Sequence, residues 1–243
     1  KSGSSLLSYH GKPADFFREH NPKSVYTNHD YEPYARDRDK EVKKILDDKI
    51  IPFRTFKDQI IFEKEEILKD DGDPYVVFTP YSKKWLKALK SSDLKSYDIE
   101  DYEDNFFKIS AQKISTLKEL GFEESNLAFP DKDIKKDIIR DYSDKRDIPS
   151  IRGTSRLSLH LRFGTVSIRH LTSTAKRLSD SWLNELIWRN FYMMILWHFP
   201  KVVDNSFRAK YDKIEWRNNE EEFEAWCNGK TGYPIVDAGM REL

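Results

Sequence analysis

The chain has 243 residues, of which 38% are hydrophobic and 14% aromatic, and its 42 basic residues balance 42 acidic ones. That length suits one large domain or two modest ones. Zero formal charge excludes a nucleic-acid partner held by overall basicity, so any DNA contact rests on a local patch. No apolar run is long enough to cross a bilayer. The six His lack metal-site spacing. The chain opens on Lys1 and a polar Ser/Gly stretch, unlike a signal peptide. Cys227 is alone and cannot form an internal disulfide, which fits a reducing, cytoplasmic setting.

Residues 1–90 read as alternating strand and helix. Ser24–Asn28 is β-prone, and Pro33–Leu46 follows as an amphipathic helix with Ala35, Val42, Ile45 and Leu46 on one side. Pro52–Phe56, Ile60–Phe62 and Tyr75–Thr79 are three further β-prone runs, the last after the turn signal Asp71-Gly72-Asp73-Pro74. This alternation predicts a parallel α/β layer with few strands, and so a domain that is partial and begins before Lys1. Residues 91–130 are polar and weakly periodic, which predicts a long surface connection with a short helix over Ile114–Leu120 stopped by Gly121. From residue 131 the pattern is helical. Helices are expected over Ile134–Arg146, Ser155–Phe163, Ser167–Leu178, Ser181–Phe199 and Glu220–Asn228, with another starting at Asp237 and cut off at Leu243. The fold class is therefore α/β plus all-α, truncated at both ends: residues 1–90, a connection 91–130, and a helical part 131–243.

Three segments carry chemistry. On the helix Ser181–Phe199, residues Trp182, Glu185, Arg189 and Tyr192 fall close to one line, with Trp188 beside Glu185. The remaining faces are apolar, which predicts a buried helix. A carboxylate and a guanidinium there need partners or a polar cavity. Two readings stay open: a Glu185–Arg189 pair that fixes packing, or a cavity where a flat aromatic ligand meets Trp and a polar edge meets Glu. In Gly153–Ser158, Thr154 or Ser155 can cap the following helix, and such a terminus also suits phosphate. Between Asp147 and Asp180 there is no other acidic residue, while Arg152, Arg156, Arg162, Arg169, Lys176 and Arg177 fall inside. This is a local positive field for DNA or cofactor phosphates, or a set of solvated helix faces, the reading preferred for Lys176 and Arg177.

In this order the segments resemble the photolyase/cryptochrome family. The resemblance is carried by Tyr31–Asp39, Val77–Tyr81 with Trp85, Gly153–Ser158 with Leu161–Gly164, Glu185–Arg189 and Thr231–Ala238. It covers nearly the whole chain and implies a partial Rossmann-like antenna domain followed by a helical FAD-binding domain. It implies that Tyr142, Thr154, Ser155, Arg156, Leu157, Ser158, Trp182, Glu185 and Arg189 contact FAD. It also implies that Arg146, Glu185, Trp188, Arg189 and Tyr192 meet DNA. Glu185 and Trp188 would line the pocket for a flipped pyrimidine dimer, and Trp216 would be the outermost member of a tryptophan electron-transfer chain. A protonated Glu185 in an apolar site would stabilise the reduced dimer. A folate or deazaflavin antenna is the second cofactor class the resemblance allows. Asn190 departs from the family, which usually has an acid there, and Thr165–Ile168 departs from its usual loop.

The Glu185–Trp188 pair favours repair of cyclobutane pyrimidine dimers in UV-damaged DNA by a monomer. A non-repairing cryptochrome photoreceptor is the alternative, and a helical scaffold without flavin is a third reading. No membrane and no metal are expected.

Overall fold

The computed structural model describes residues 3–97 and 99–243, which form two compact units divided between Pro200 and Lys201. In the first unit, helix α1 (Pro13–Glu19) packs on α2 (Pro33–Asp48), which connects strands β1 (Val25–Asn28) and β2 (Phe53–Phe56). The strands pair in parallel from Val25↔Phe53 to Asn28↔Phe56, so the sequence reading of a β–α–β unit holds here. Pro33 opens α2 at a position where its missing N–H costs nothing, and Ala35, Val42 and Leu46 are its buried stripe. The Lys49 ammonium closes the end of α1 by donating to the carbonyls of Phe17 and Arg18, both at 2.8 Å.

Two expected strands are not strands. Ile60, Ile61 and Phe62 are buried, at 1%, 4% and 8% exposure, but in an irregular bend. Buried backbone needs partners wherever it runs. Here side chains supply them, because Asn190 takes both the N–H and the C=O of Phe62, and Arg189 takes the carbonyl of Gln59. Tyr75–Thr79 instead leads into helix α3 (Phe78–Ala88), with Val77 as its N-cap residue. Pro80 lies in the first turn, where a helix tolerates it, and Tyr81 and Trp85 recur at helical spacing on the buried face.

The connection 91–130 runs mostly exposed, with short 3-10 turns at Ser91–Leu94 and Glu100–Asn105. Residues 117–121 form a turn rather than the expected helix, although Gly121 does supply its positive φ of 83°. The expected helix Ile134–Arg146 is broken at Asp141 into α4 (Lys136–Arg140) and α5 (Tyr142–Lys145). Helix α6 (Ser158–Arg162) begins three residues later than the sequence suggests. Arg156 has φ of 52°, a left-handed conformation that no α-helix accommodates. Leu157 is thus the N-cap residue and offers no side-chain cap, so neither Thr154 nor Ser155 has that role. Helices α7 (Ile168–Leu178) and α8 (Asp180–His198) are capped by Ser167 and Ser179, whose hydroxyls accept from His170 N and Trp182 N.

One core joins Ile61, Phe62, Ile67, Tyr81 and Trp85 to Ile139, Leu157, Leu171, Trp182, Leu186 and Ile187. The buried face of α3 and the Trp182–Phe191 part of the inner face of α8 therefore share one interior, while Met194 further along α8 packs with Tyr31 and Ile60 in a second cluster. No helix of the described residues is long and apolar enough to cross a membrane.

The second unit, Lys201–Leu243, contains α9 (Glu220–Cys227), capped by Asn219, and α10 (Pro234–Glu242). Helix α10 starts at Pro234 rather than at Asp237. Asp237 turns back instead. Its Oδ1 accepts from Thr231 N at 2.7 Å and Thr231 Oγ1 at 2.6 Å, and its Oδ2 accepts from Gly232 N at 3.1 Å. The Thr231 hydroxyl and these backbone amides hold the Asp237 carboxyl below its ordinary value. A depressed carboxylate stabilises the fold above its unfolded pKa, and the benefit is lost as pH falls through the lower folded value. We expect the amides of Thr231 and Gly232 to keep exchange protection at the free Asp pKa of about 3.9 and to lose it only at lower pH. The Asp237→Asn variant should show no such step, and an Asp237 carboxyl titrating at or above its free value by NMR would contradict the assignment.

Candidate functional site

Helix α8 is the platform. Along its line the side chains pass from core to surface: Trp182 is 4% exposed and Tyr192 60%. Between them, Glu185 and Arg189 do not pair with one another. Glu185 accepts from Arg146 of the segment just after α5, at 2.6 Å, and both side chains are 38% exposed. The expected apolar enclosure of Glu185 is therefore replaced by a half-open ion pair. Tyr142 completes this cluster, with the Arg146 guanidinium 5.5 Å from its ring centre. Burial, and then the charge of Glu185, push its phenol above the ordinary value.

Arg189 points inward. It donates to Gln59 O at 2.6 Å and to Leu161 O at 3.3 Å, tying α8 to the bend before Ile60 and to α6. Burial, reinforced by the nearby charge of Arg162, pulls its guanidinium below the ordinary value. Asn190, 2% exposed, is an amide clamp: Oδ1 accepts from Phe62 N at 3.2 Å and Trp85 Nε1 at 3.0 Å, while Nδ2 donates to Phe62 O at 2.8 Å. The sequence marked Asn190 only as a departure, and its need to donate as well as accept explains why an amide stands there.

The loop Gly153–Ser158 sits against α5. A Cβ on Gly153 would lie 2.4 Å from the carbonyl oxygen of Lys145, so only glycine allows this approach. Beyond it, Thr154 and Ser158 are exposed, Ser155 is half-buried, and Leu157 anchors the loop in the core at 2% exposure. The structure thus brings loop 153–158, Tyr142 and Arg146 onto one support, and Arg146 reaches Glu185 on α8.

The positive field is smaller than the sequence suggests. Arg162 pairs with Glu32 at 3.0 Å and Asp30 at 3.7 Å, and Arg169 pairs with Asp58 at 3.0 Å. Acids from the first sixty residues neutralise these two; the side chains of Arg152, just before the loop, and Arg156, within it, are exposed. His160 is structural, with Nδ1 bonded to Thr165 Oγ1 and Nε2 to Pro130 O, both at 2.7 Å.

Trp188 is not an open wall. Phe78 stacks on it with ring centres 3.6 Å apart and planes at 6°, and Tyr192 lies 5.3 Å away at 23°. Placing Phe78 in a strand hid this contact. In the second unit, Trp216 is 72% exposed and borders a crevice with Asn219 and Phe223. No group of three or more His, Cys, Asp or Glu able to hold a metal occurs among the described residues.

Comparisons with known proteins place the chain in one family. A family model described as DNA photolyase matches residues 1–98, and one described as the FAD binding domain of DNA photolyase matches residues 182–243. Proteins named deoxyribodipyrimidine photo-lyase from Halobacterium salinarum and Synechococcus sp. are each 34% identical, over 99% and 100% of this chain and 56% and 57% of their own. A bacterial class III photolyase from Agrobacterium tumefaciens superposes with a TM-score of 0.71 at 24% identity, over 96% of this chain and 53% of its own. An archaeal photolyase from Sulfolobus tokodaii, solved with two FAD molecules, gives a TM-score of 0.65 at 26% identity, over 90% and 50%. The chain spans about half the length of the relatives it matches. With both family models, the relatives' names and the solved structures in agreement, the chain belongs to the DNA photolyase/cryptochrome family.

Proposed function

We propose that the protein is a deoxyribodipyrimidine photo-lyase, repairing cyclobutane pyrimidine dimers in DNA with FAD. The observation that carries this reading is the cluster Tyr142–Arg146–Glu185 on the same support as the loop Gly153–Ser158.

The donor set fits a dinucleotide cofactor. The hydroxyls of Thr154, Ser155 and Ser158 and the uncapped first-turn N–H groups of α6 suit a diphosphate. Arg156 and Tyr142 border the same place. When bound, the flavin supplies the light-excited electron donor. The residues of this chain position and select. Arg189 and Trp182 hold α8 in place, Arg189 through two carbonyls and Trp182 through core packing, on the helix against which the flavin would be held. Arg146 is within reach of a DNA phosphate and orients the Glu185 carboxylate through their shared hydrogen bond. A damaged base must leave the duplex to be reached, and Glu185, Trp188 and Tyr192 line its landing place. Trp216 is the surface station for electrons in this reading. The assignment also includes a monomer acting inside the cell.

The first ninety residues belong to this reading as a partial Rossmann-like antenna domain, supported by the parallel β1–α2–β2 unit. Ligands of open parallel sheets sit beyond the carboxyl ends of the strands. There His29 and Thr55 border a crevice of roughly 240 Å³ with Arg36, Lys64 and Trp197, the place to seek a folate or deazaflavin. The neighbouring Glu63 accepts from Tyr31 at 2.5 Å and from His29 at 2.7 Å.

The test uses the intact flavin-loaded protein and an oligonucleotide carrying one thymine dimer. Under blue light, Glu185→Ala should lower the repair rate about tenfold, the scale of one lost hydrogen bond in the reacting complex. Absence of light-dependent repair by the unaltered protein would sink the photo-lyase reading and leave the photoreceptor.

A further inference from the structure

Trp188 makes two unequal aromatic contacts. Phe78 lies parallel at 3.6 Å and 6°, which is van der Waals contact and closes that part of the indole. Tyr192, one turn further along α8, is looser at 5.3 Å and 23°, and is 60% exposed. Phe78 cannot drift. It is the first residue of α3, and α3 is pinned by Tyr81 and Trp85, which are 1% and 0% exposed. The Trp85 indole is bonded to Asn190, two residues from Trp188 on α8. Phe191 adds an edge contact to both rings, 5.9 Å from Phe78 and 5.7 Å from Trp188. The plane of Trp188 is therefore set by the α3–α8 junction, and the exposed Tyr192 ring is the displaceable neighbour.

We propose that Phe78 is a positioning residue for damaged-base recognition: it backs Trp188 so that a flipped pyrimidine stacks on the indole in the place Tyr192 now occupies. The physics is that of any stacking platform. A base gains from a π-face only if that face is already held in place, and an exposed aromatic side chain moves aside quickly. This inference rests on the photo-lyase reading above and adds to it a residue from α3.

The experiment compares the full-length flavin-loaded protein with its Phe78→Leu and Phe78→Tyr variants. Binding to single strands with and without a thymine dimer is followed by anisotropy, and the Trp188 environment by near-UV circular dichroism. Phe78→Leu should weaken binding to the dimer strand about tenfold, reduce the near-UV signal, and leave binding to the undamaged strand unchanged. Phe78→Tyr, which keeps a flat ring, should restore both. Unchanged dimer binding in Phe78→Leu overturns the proposal. So does equal weakening on damaged and undamaged strands, which is the mark of a merely structural role. A wild-type protein that does not prefer the dimer strand overturns the underlying photo-lyase reading instead, and is recognised without any variant.

Discussion

Replacing Asn190 by leucine is expected to destabilise the first unit by about 4 kcal/mol, because it strips partners from three buried groups at an estimated 1–3 kcal/mol each. Those groups are Phe62 N–H, Phe62 C=O and the Trp85 indole N–H, all bonded to one carboxamide that is 2% exposed. Leucine keeps the branched outline of asparagine, but its two methyls are bulkier than the amide oxygen and nitrogen, so overpacking adds to the lost hydrogen bonds. The measurement is urea unfolding followed by tryptophan fluorescence, read as a shift in midpoint at constant slope. Asn190→Asp gives the sharper test. A carboxylate still accepts from Phe62 N–H and Trp85, but it donates to Phe62 C=O only when protonated. Its folded pKa in this variant is therefore raised above the unfolded value. The variant should be most stable below about pH 4 and lose stability as pH rises through the folded pKa. The leucine variant should show no such slope. A stability of Asn190→Leu within 1 kcal/mol of the parent would show that the clamp is dispensable.

The second large effect is expected at Gly153. An added methyl would meet the Lys145 carbonyl oxygen at 2.4 Å and its carbon at 2.7 Å, and both belong to backbone that cannot rotate away. Either α5 or the loop must move. Overpacking of this kind costs about 3 kcal/mol when the structure cannot yield. Part of that cost should appear as function rather than stability, since the loop carries Thr154 and Ser155 and α5 carries Tyr142. Gly153→Ala is expected to lower the melting temperature by several degrees and the flavin content of purified full-length protein together. Gly164→Ala is the control: Gly164, unlike Gly153, has positive φ, at 66°, but an added Cβ meets nothing within 4 Å. It should carry only conformational strain and leave flavin content unchanged. Full flavin loading in Gly153→Ala would remove the loop from the cofactor site.

Much of this was legible in the residues. The spacing of Ala35, Val42 and Leu46 defines the buried stripe of α2, and the expected starts at Ser167 and Ser181 each fall within one residue of the first residues of α7 and α8. The parallel pairing of β1 and β2 follows from β-prone runs separated by a helix. The alignment of Trp182, Glu185, Arg189 and Tyr192 on α8 needed only helical geometry, and the motifs around them identified the family. These features depend on interactions over a few residues, where periodicity and capping act.

Partner choice was not legible. Glu185 pairs with Arg146 rather than Arg189, and Arg189 turns to two backbone carbonyls instead. Arg162 and Arg169 find acids more than a hundred positions away, which shrinks the positive field. Ile60–Phe62 and Tyr75–Thr79 carry the composition of strands, yet the first is a buried bend held by Asn190 and the second opens a helix that sets Phe78 on Trp188. Sequence alone determined the longer helices α2, α7 and α8, the buried stripe of α2 and the family the motifs point to, but neither α1 nor α3. The tertiary structure alone decided which charge meets which, and which buried backbone is satisfied by side chains. The reason is physical: a helix is written in contacts three and four residues apart, whereas an ion pair or an amide clamp is fixed by distances through space that no spacing encodes.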